Sequence, residues 1–146
     1  MQDVRMAREI FDNEKAALVI VKEGRVLFKS DSSGIRGLLQ AIGKLGEEMA
    51  GSSVADKVVG RAAALLLAYS SVREVYASVL SREGMKVLKE NRIKIEHQTL
   101  VQTILNQTGK DTCPFEKFSS QITSLDTAYE QLKNFAEEFW RTKEFS

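Results

Sequence analysis

The chain has 146 residues, 43% hydrophobic and 28% charged, with 21 basic and 20 acidic side chains and a net charge of +1. That length suits one domain, read here as residues 1–146, with enough apolar material to bury a core. The balanced charge argues against coating nucleic acid as the main task, which calls for a basic excess. A single cysteine rules out an internal disulfide and points to a reducing compartment. The opening stretch MQDVRMAREIFDNEK is charged throughout, and no apolar run approaches the roughly 20 residues that span a bilayer. A cytoplasmic location without membrane contact is therefore predicted.

Residues 2–12 predict a short amphipathic helix with Val4, Ile10 and Phe11 as its apolar positions. Ala16–Lys22 is a continuous β-prone run, Glu23-Gly24 supplies a tight turn, and Arg25–Ser30 alternates polar with apolar. Together they predict a hairpin whose first strand is central. Asp31-Ser32-Ser33 then caps a helix that starts near Gly34 and carries Ile35, Leu38, Leu39, Ile42 and Leu45. Gly46 and Gly51 bracket a break.

Ser52 or Ser53 is predicted to cap a second helix over 54–69, apolar around most of its circumference and hence buried. Arg73–Leu80 reads as a third strand, Glu83–Asn91 as a short helix and Arg92–His97 as a fourth strand. Strand–helix–strand order implies parallel pairing. Leu100–Leu105 fits either a helix or a fifth strand, and Thr108–Asp111 reads as a loop. A last helix is predicted over 119–143, with Ile122, Leu125, Tyr129, Leu132, Phe135, Ala136 and Phe139 as its stripe. The expected fold class is α/β, with a mixed sheet of a hairpin plus parallel strands packed by helices.

This order of elements resembles the cytidine-deaminase-like fold. The runs GSSVADKVVGRAAALLLAY, VYASVLS and CPFE look like a prokaryotic domain-of-unknown-function branch of that superfamily, over roughly Ala16 to Glu116. In zinc deaminases a His or Cys, then Ala, then Glu opens the buried helix, the first binding zinc and the Glu moving protons. The matching positions look like Val54, Ala55 and Asp56, and valine cannot bind zinc. The Pro-Cys-x-x-Cys of the next helix is matched by Ser81-Arg82-Glu83-Gly84-Met85, without cysteine. One Cys and one His fall short of three N/S ligands. The resemblance thus implies a zinc-less domain that keeps a nucleotide-like binding pocket, and neither a metal nor a cofactor is expected.

Five features are candidate sites. Gly51, Ser52, Ser53, Asp56 and Lys57 stand at the predicted start of the buried helix, where free N–H groups and the positive dipole end attract anions; ordinary capping is the plainer reading. The Gly-Lys-Ser/Thr ending of a P-loop is absent. Lys57 and Arg61, four apart on that helix, need an anionic neighbour, either a ligand or Asp31, Glu96 or Glu116. Cys113-Pro114-Phe115-Glu116 reads as a helix start with Cys113 at the N-cap, where a thiolate is favoured, helped by Lys110 and Lys117; simple packing of Cys113 is the alternative. His97, at a strand end, could pair with Cys113 or simply face solvent. Phe135, Phe139 and Trp140 end the last helix, where an exposed aromatic patch would mark a homodimer or other partner surface.

Three functions follow as expectations. The first is a binding domain for a nucleotide-like or other anionic small molecule, built from Ser52, Ser53, Asp56, Lys57, Arg61, Cys113 and Glu116. The second is a metal-independent enzyme with Cys113 as nucleophile and Asp56 or His97 as base. The third is a regulatory or structural subunit acting through its C-terminal helix.

Overall fold

A computed structural model of the chain describes residues 2–32 and 34–144. The first amphipathic run forms α1 (Asp3–Glu14). The hairpin follows as predicted, with β1 (Leu18–Lys22) antiparallel to β2 (Arg25–Ser30). Glu23 and Gly24 both take positive φ (51° and 75°), the geometry of a two-residue hairpin turn. The Asp3 carboxylate accepts from the N–H groups of Glu23 (2.8 Å) and Gly24 (3.0 Å), tying the turn to α1.

Helix α2 (Arg36–Leu45) starts at Ile35 as N-cap and has no side-chain cap bond. Of the three residues expected to cap it, Ser33 lies outside the described residues. A short 3-10 turn, Gly46–Met49, fills the predicted break.

The largest correction concerns the stretch that follows. Residues Ser53–Val59 form a strand, β3, and the buried helix α3 spans only Arg61–Tyr69. Ser52 and Ser53 therefore cap no helix. Ser52 donates its hydroxyl to the Met49 carbonyl (2.7 Å), and Ser53 opens the strand. A strand buried on both faces carries no alternation, so SVADKVV and RAAALLLAY read as one apolar run. The β-branched Val58-Val59 followed by Gly60 mark the true boundary.

Beyond it lie β4 (Glu74–Ser81), α4 (Arg82–Glu90) and β5 (Lys94–Val101). The run 100–105 is thus neither a helix nor a separate strand. Its first residues complete β5, and Leu105 makes an isolated bridge to Thr112. The predicted last helix starts six residues later than expected, as α6 (Leu125–Glu144), and the helix start expected at Cys113-Pro114 is a short helix of its own, α5 (Pro114–Ser119). At the break, the hydroxyls of Ser119 and Ser120 bond back to the carbonyls of Glu116 (2.9 Å) and Lys117 (2.7 Å). Such local bonds compete with helix continuation.

The sheet order is β2-β1-β3-β4-β5. β1 is antiparallel to both β2 and β3, while β3, β4 and β5 run parallel. Helix α1 covers one face, with Phe11 edge-on to Tyr76 (5.9 Å) above Val19, Val21 and Ala55. Helices α2, α3 and α4 cover the other around Leu38, Leu66, Leu67 and Leu88, and α6 lays Ala128, Leu132 and Ala136 over α3. All seven α3 positions from Ala62 to Ala68 are buried, because α3 lies between the sheet and α6.

Ser81 ends β4 and caps α4, its hydroxyl accepting from the Gly84 N–H (2.9 Å). Ser81→Ala should lower the unfolding free energy by about 1 kcal/mol, read as a lower denaturation midpoint at unchanged m-value.

Candidate functional site

Three parallel strands end on the same side of the sheet, and two helices begin there. β3 leads through Gly60 into α3, and β4 leads through Ser81 into α4. β5 ends beside them and runs into a loop carrying Gln102 and Thr103. Between them opens a cleft of about 370 Å³ lined by Arg61, Ser81, Glu83, Gln102, Thr103, Thr112, Glu116 and Ser120.

One wall of the cleft is a carboxylate seated on a helix. Glu116 of α5 accepts from the N–H groups of Arg61 (2.6 Å) and Ala62 (2.9 Å), so two orphan donors of α3 are satisfied from another helix. Gly60 is what admits it: a Cβ there would lie within 2.8 Å of all three carboxyl atoms of Glu116. Burial raises the Glu116 pKa, opposed by the two N–H bonds and the Arg61 charge, while the Glu83 charge pushes it up further.

Arg61 holds the same junction through its side chain. Its Nε donates to the Ser119 carbonyl (3.1 Å) and its Nη2 to the Ile122 carbonyl (2.8 Å), with Glu83 at 3.9 Å. The guanidinium is thus committed to the end of α5 and the connector into α6. The cleft is left rich in acceptors: two carboxylates, three hydroxyl side chains besides Ser81, and the Gln102 amide.

The structure divides the predicted site. Arg61 and Glu116 come together, and Cys113 stands at the N-cap position of the short helix that carries Glu116, without a side-chain cap bond. Ser52 and Ser53 stand at the opposite end of β3, roughly 20 Å of strand away at about 3.3 Å per residue. Lys57 is exposed and belongs to β3, so it shares no helix face with Arg61.

Asp56 is 4% exposed in the middle of β3, between Leu18 of β1 and Ala77 of β4. Burial pushes its carboxyl up to about 8, against the pull of the Lys57 and Val58 backbone N–H groups. His97 is exposed within β5, and among the described residues no hydrogen bond links it to half-buried Cys113. Trp140 is half-buried, stacked under the Arg36 guanidinium (4.0 Å) and near Phe115.

Sequence reasoning missed Ser81, Glu83, Gln102, Thr103, Thr112 and Ser120 as lining residues. The available signal was positional. In open α/β sheets, ligands sit outside the carboxyl ends of parallel strands, which is where Gln102 and Thr103 lie.

The zinc set of the deaminases can be tested against this geometry. Val54-Ala55-Asp56 opens no helix, so it is not the counterpart of the His-Ala-Glu motif. The starts of α2, α3 and α4 read Ile35-Arg36-Gly37, Gly60-Arg61-Ala62 and Ser81-Arg82-Glu83, with neither His nor Cys. No three His, Cys, Asp or Glu residues gather to hold a metal among the described residues. The donor set does not fit a hydrolytic zinc centre. No helix among the described residues is long and apolar enough to cross a membrane.

Comparison with known proteins agrees with the architecture. Two forms of RibD from Acinetobacter baumannii superpose with TM-scores of 0.51 and 0.50 at 16% and 17% identity, over 66% of this chain and 35% of theirs. That likeness is one of fold, the cytidine-deaminase-like α/β class. No curated protein matches the sequence. A solved DUF1893 family protein from Thermotoga maritima is 26% identical, with a TM-score of 0.82 over 94% of this chain and 91% of that one. The family model for the domain of unknown function DUF1893 matches residues 6–136, nine-tenths of the chain, and the chain belongs to that family.

Proposed function

We propose that this is a zinc-less deaminase-fold domain that binds a nucleotide-like small molecule in the cleft at the carboxyl ends of β3, β4 and β5. The observation that carries this reading is the cleft itself, lined by polar and charged residues and framed by Arg61 and Glu116 at the start of α3 and by Ser81 and Glu83 at the start of α4. A ligand there meets acceptors before it meets a free cation, because Arg61 is held by two carbonyls and faces Glu83. Sugar hydroxyls and an exocyclic amine supply the donors such a wall needs, whereas a phosphate would approach two carboxylates. The anion-holding role expected of Ser52, Ser53 and Lys57 has no place in this reading. The recognising groups are Glu83, Gln102, Thr103 and Thr112.

A thermal-shift series with nucleosides and their 5′-monophosphates tests it. A ligand at a hundredfold excess over its Kd adds about 2.7 kcal/mol, a shift of several degrees for a chain this size. The expected result is a shift with a nucleoside, smaller with its monophosphate and lost in Glu83→Ala and Gln102→Ala. No shift with any of these compounds would overturn the reading.

A further inference from the structure

Strand β5 (Lys94–Val101) pairs with β4 on one side, and among the described residues no hydrogen bond reaches its backbone from the other. Proteins usually blunt such an edge with brevity, proline, a bulge, charged side chains or a covering element, and of these β5 carries only the charges of Lys94 and Glu96. β5 has eight residues, no proline and a register with β4 unbroken from Lys94 to Val101. The opposite edge, β2, differs: its register with β1 shifts between Ile20 and Val21. Both edges carry one ion pair to α1, Lys29 with Glu14 (2.7 Å) and Glu96 with Arg8 (3.7 Å). Glu96, His97, Gln98 and Thr99 are exposed, while Ile95, Leu100 and Val101 are half-buried.

The side-chain order along β5 suits its own copy. Antiparallel pairing about a two-fold axis normal to the sheet keeps each face on its own side, so residues of equal parity meet. Centred on Gln98, Ile95 stands opposite Val101, Glu96 opposite Leu100 and His97 opposite Thr99. No like charges meet, and the half-buried apolar residues at the two ends cover each other. Centred on Glu96, two carboxylates would face, and centred on His97, two imidazoles would. Opposite residues lie about 4.5–5.5 Å apart, where like charges destabilise pairing.

We infer that two copies of this chain pair through β5, antiparallel about a two-fold axis at Gln98, joining their five-stranded sheets into one.

Analytical ultracentrifugation of the full chain across a wide concentration range tests the inference. The wild-type chain should reach a dimer. Gln98→Glu and Gln98→Lys each set like charges at the axis and should weaken dimerisation about tenfold or more, with unchanged circular dichroism at this exposed position. An equal mixture of the two variants should restore the dimer, because opposite charges then face across the axis. A wild-type chain that stays monomeric overturns the inference. So do single variants that dimerise as the wild type does, or a mixture that fails to restore the dimer.

Discussion

Wild-type stability should fall as the pH is raised from about 4 to about 8, and Asp56→Asn should remove most of that fall. Asp56 is 4% exposed in a central strand, and burial raises its carboxyl from 3.8 to about 8. The folded state therefore holds the proton far more tightly than the unfolded chain does. Below 3.8 both states are protonated and the full stability is present. Between 3.8 and about 8 the unfolded chain ionises while the folded state stays neutral, so unfolding releases a proton and each pH unit costs stability. Above about 8 both states are ionised and the loss is complete. At about 1.4 kcal/mol per unit, the whole fall has an upper bound of about 5–6 kcal/mol. Asn keeps the shape of the neutral acid without the ionisation. It should match the wild type near pH 4 and exceed it by several kcal/mol near pH 8. Urea denaturation at a series of pH values and constant salt measures both curves, and parallel profiles would show that Asp56 is not the group responsible.

Glu116→Ala should cost about 2–4 kcal/mol, at the high end for a helix cap because both acceptors of a carboxylate are lost at once. The Arg61 and Ala62 N–H groups would be left without their bonds at 2.6 and 2.9 Å, and the space above Gly60 would empty. Glu116→Gln keeps one acceptor and the bulk of the side chain, so roughly half the loss should return. The loss reads as a lower denaturation midpoint, and amide exchange at Arg61 and Ala62 should quicken more than in the strands. A cost below about 0.5 kcal/mol, the level of an ordinary surface change, would mean that α5 is held without this contact.

Local pattern was enough for the hairpin, for α4 and for the order of most elements. Glu23-Gly24 between two β-prone runs permits little else, and the stripe of Leu38, Leu39, Ile42 and Leu45 places α2 to within two residues. Pattern failed where burial erases periodicity. SVADKVV is buried except at Lys57 and Val58 and RAAALLLAY except at its two ends, so polarity could not separate strand from helix, and the predicted anion site at Ser52 and Ser53 fell with that boundary. The start of the last helix failed for a related reason, while its end lies within one residue of the prediction. Ile122 is 1% exposed and continues the apolar stripe, yet it sits in a connector whose carbonyl serves Arg61.

Glu116 was named as one of three carboxylates that could answer Arg61, but its seat on the α3 N-terminus joins residues 54 and 55 positions apart. No spacing rule reaches that far. The amino-acid sequence by itself determined that this is an α/β chain with too few Cys and His residues for the deaminase zinc set, because ligand chemistry depends on residue types that are either present or absent. Only the tertiary structure decided where a site could be. A cleft exists where strand ends, helix starts and a returning loop converge, and that convergence is set by packing between segments distant in the chain.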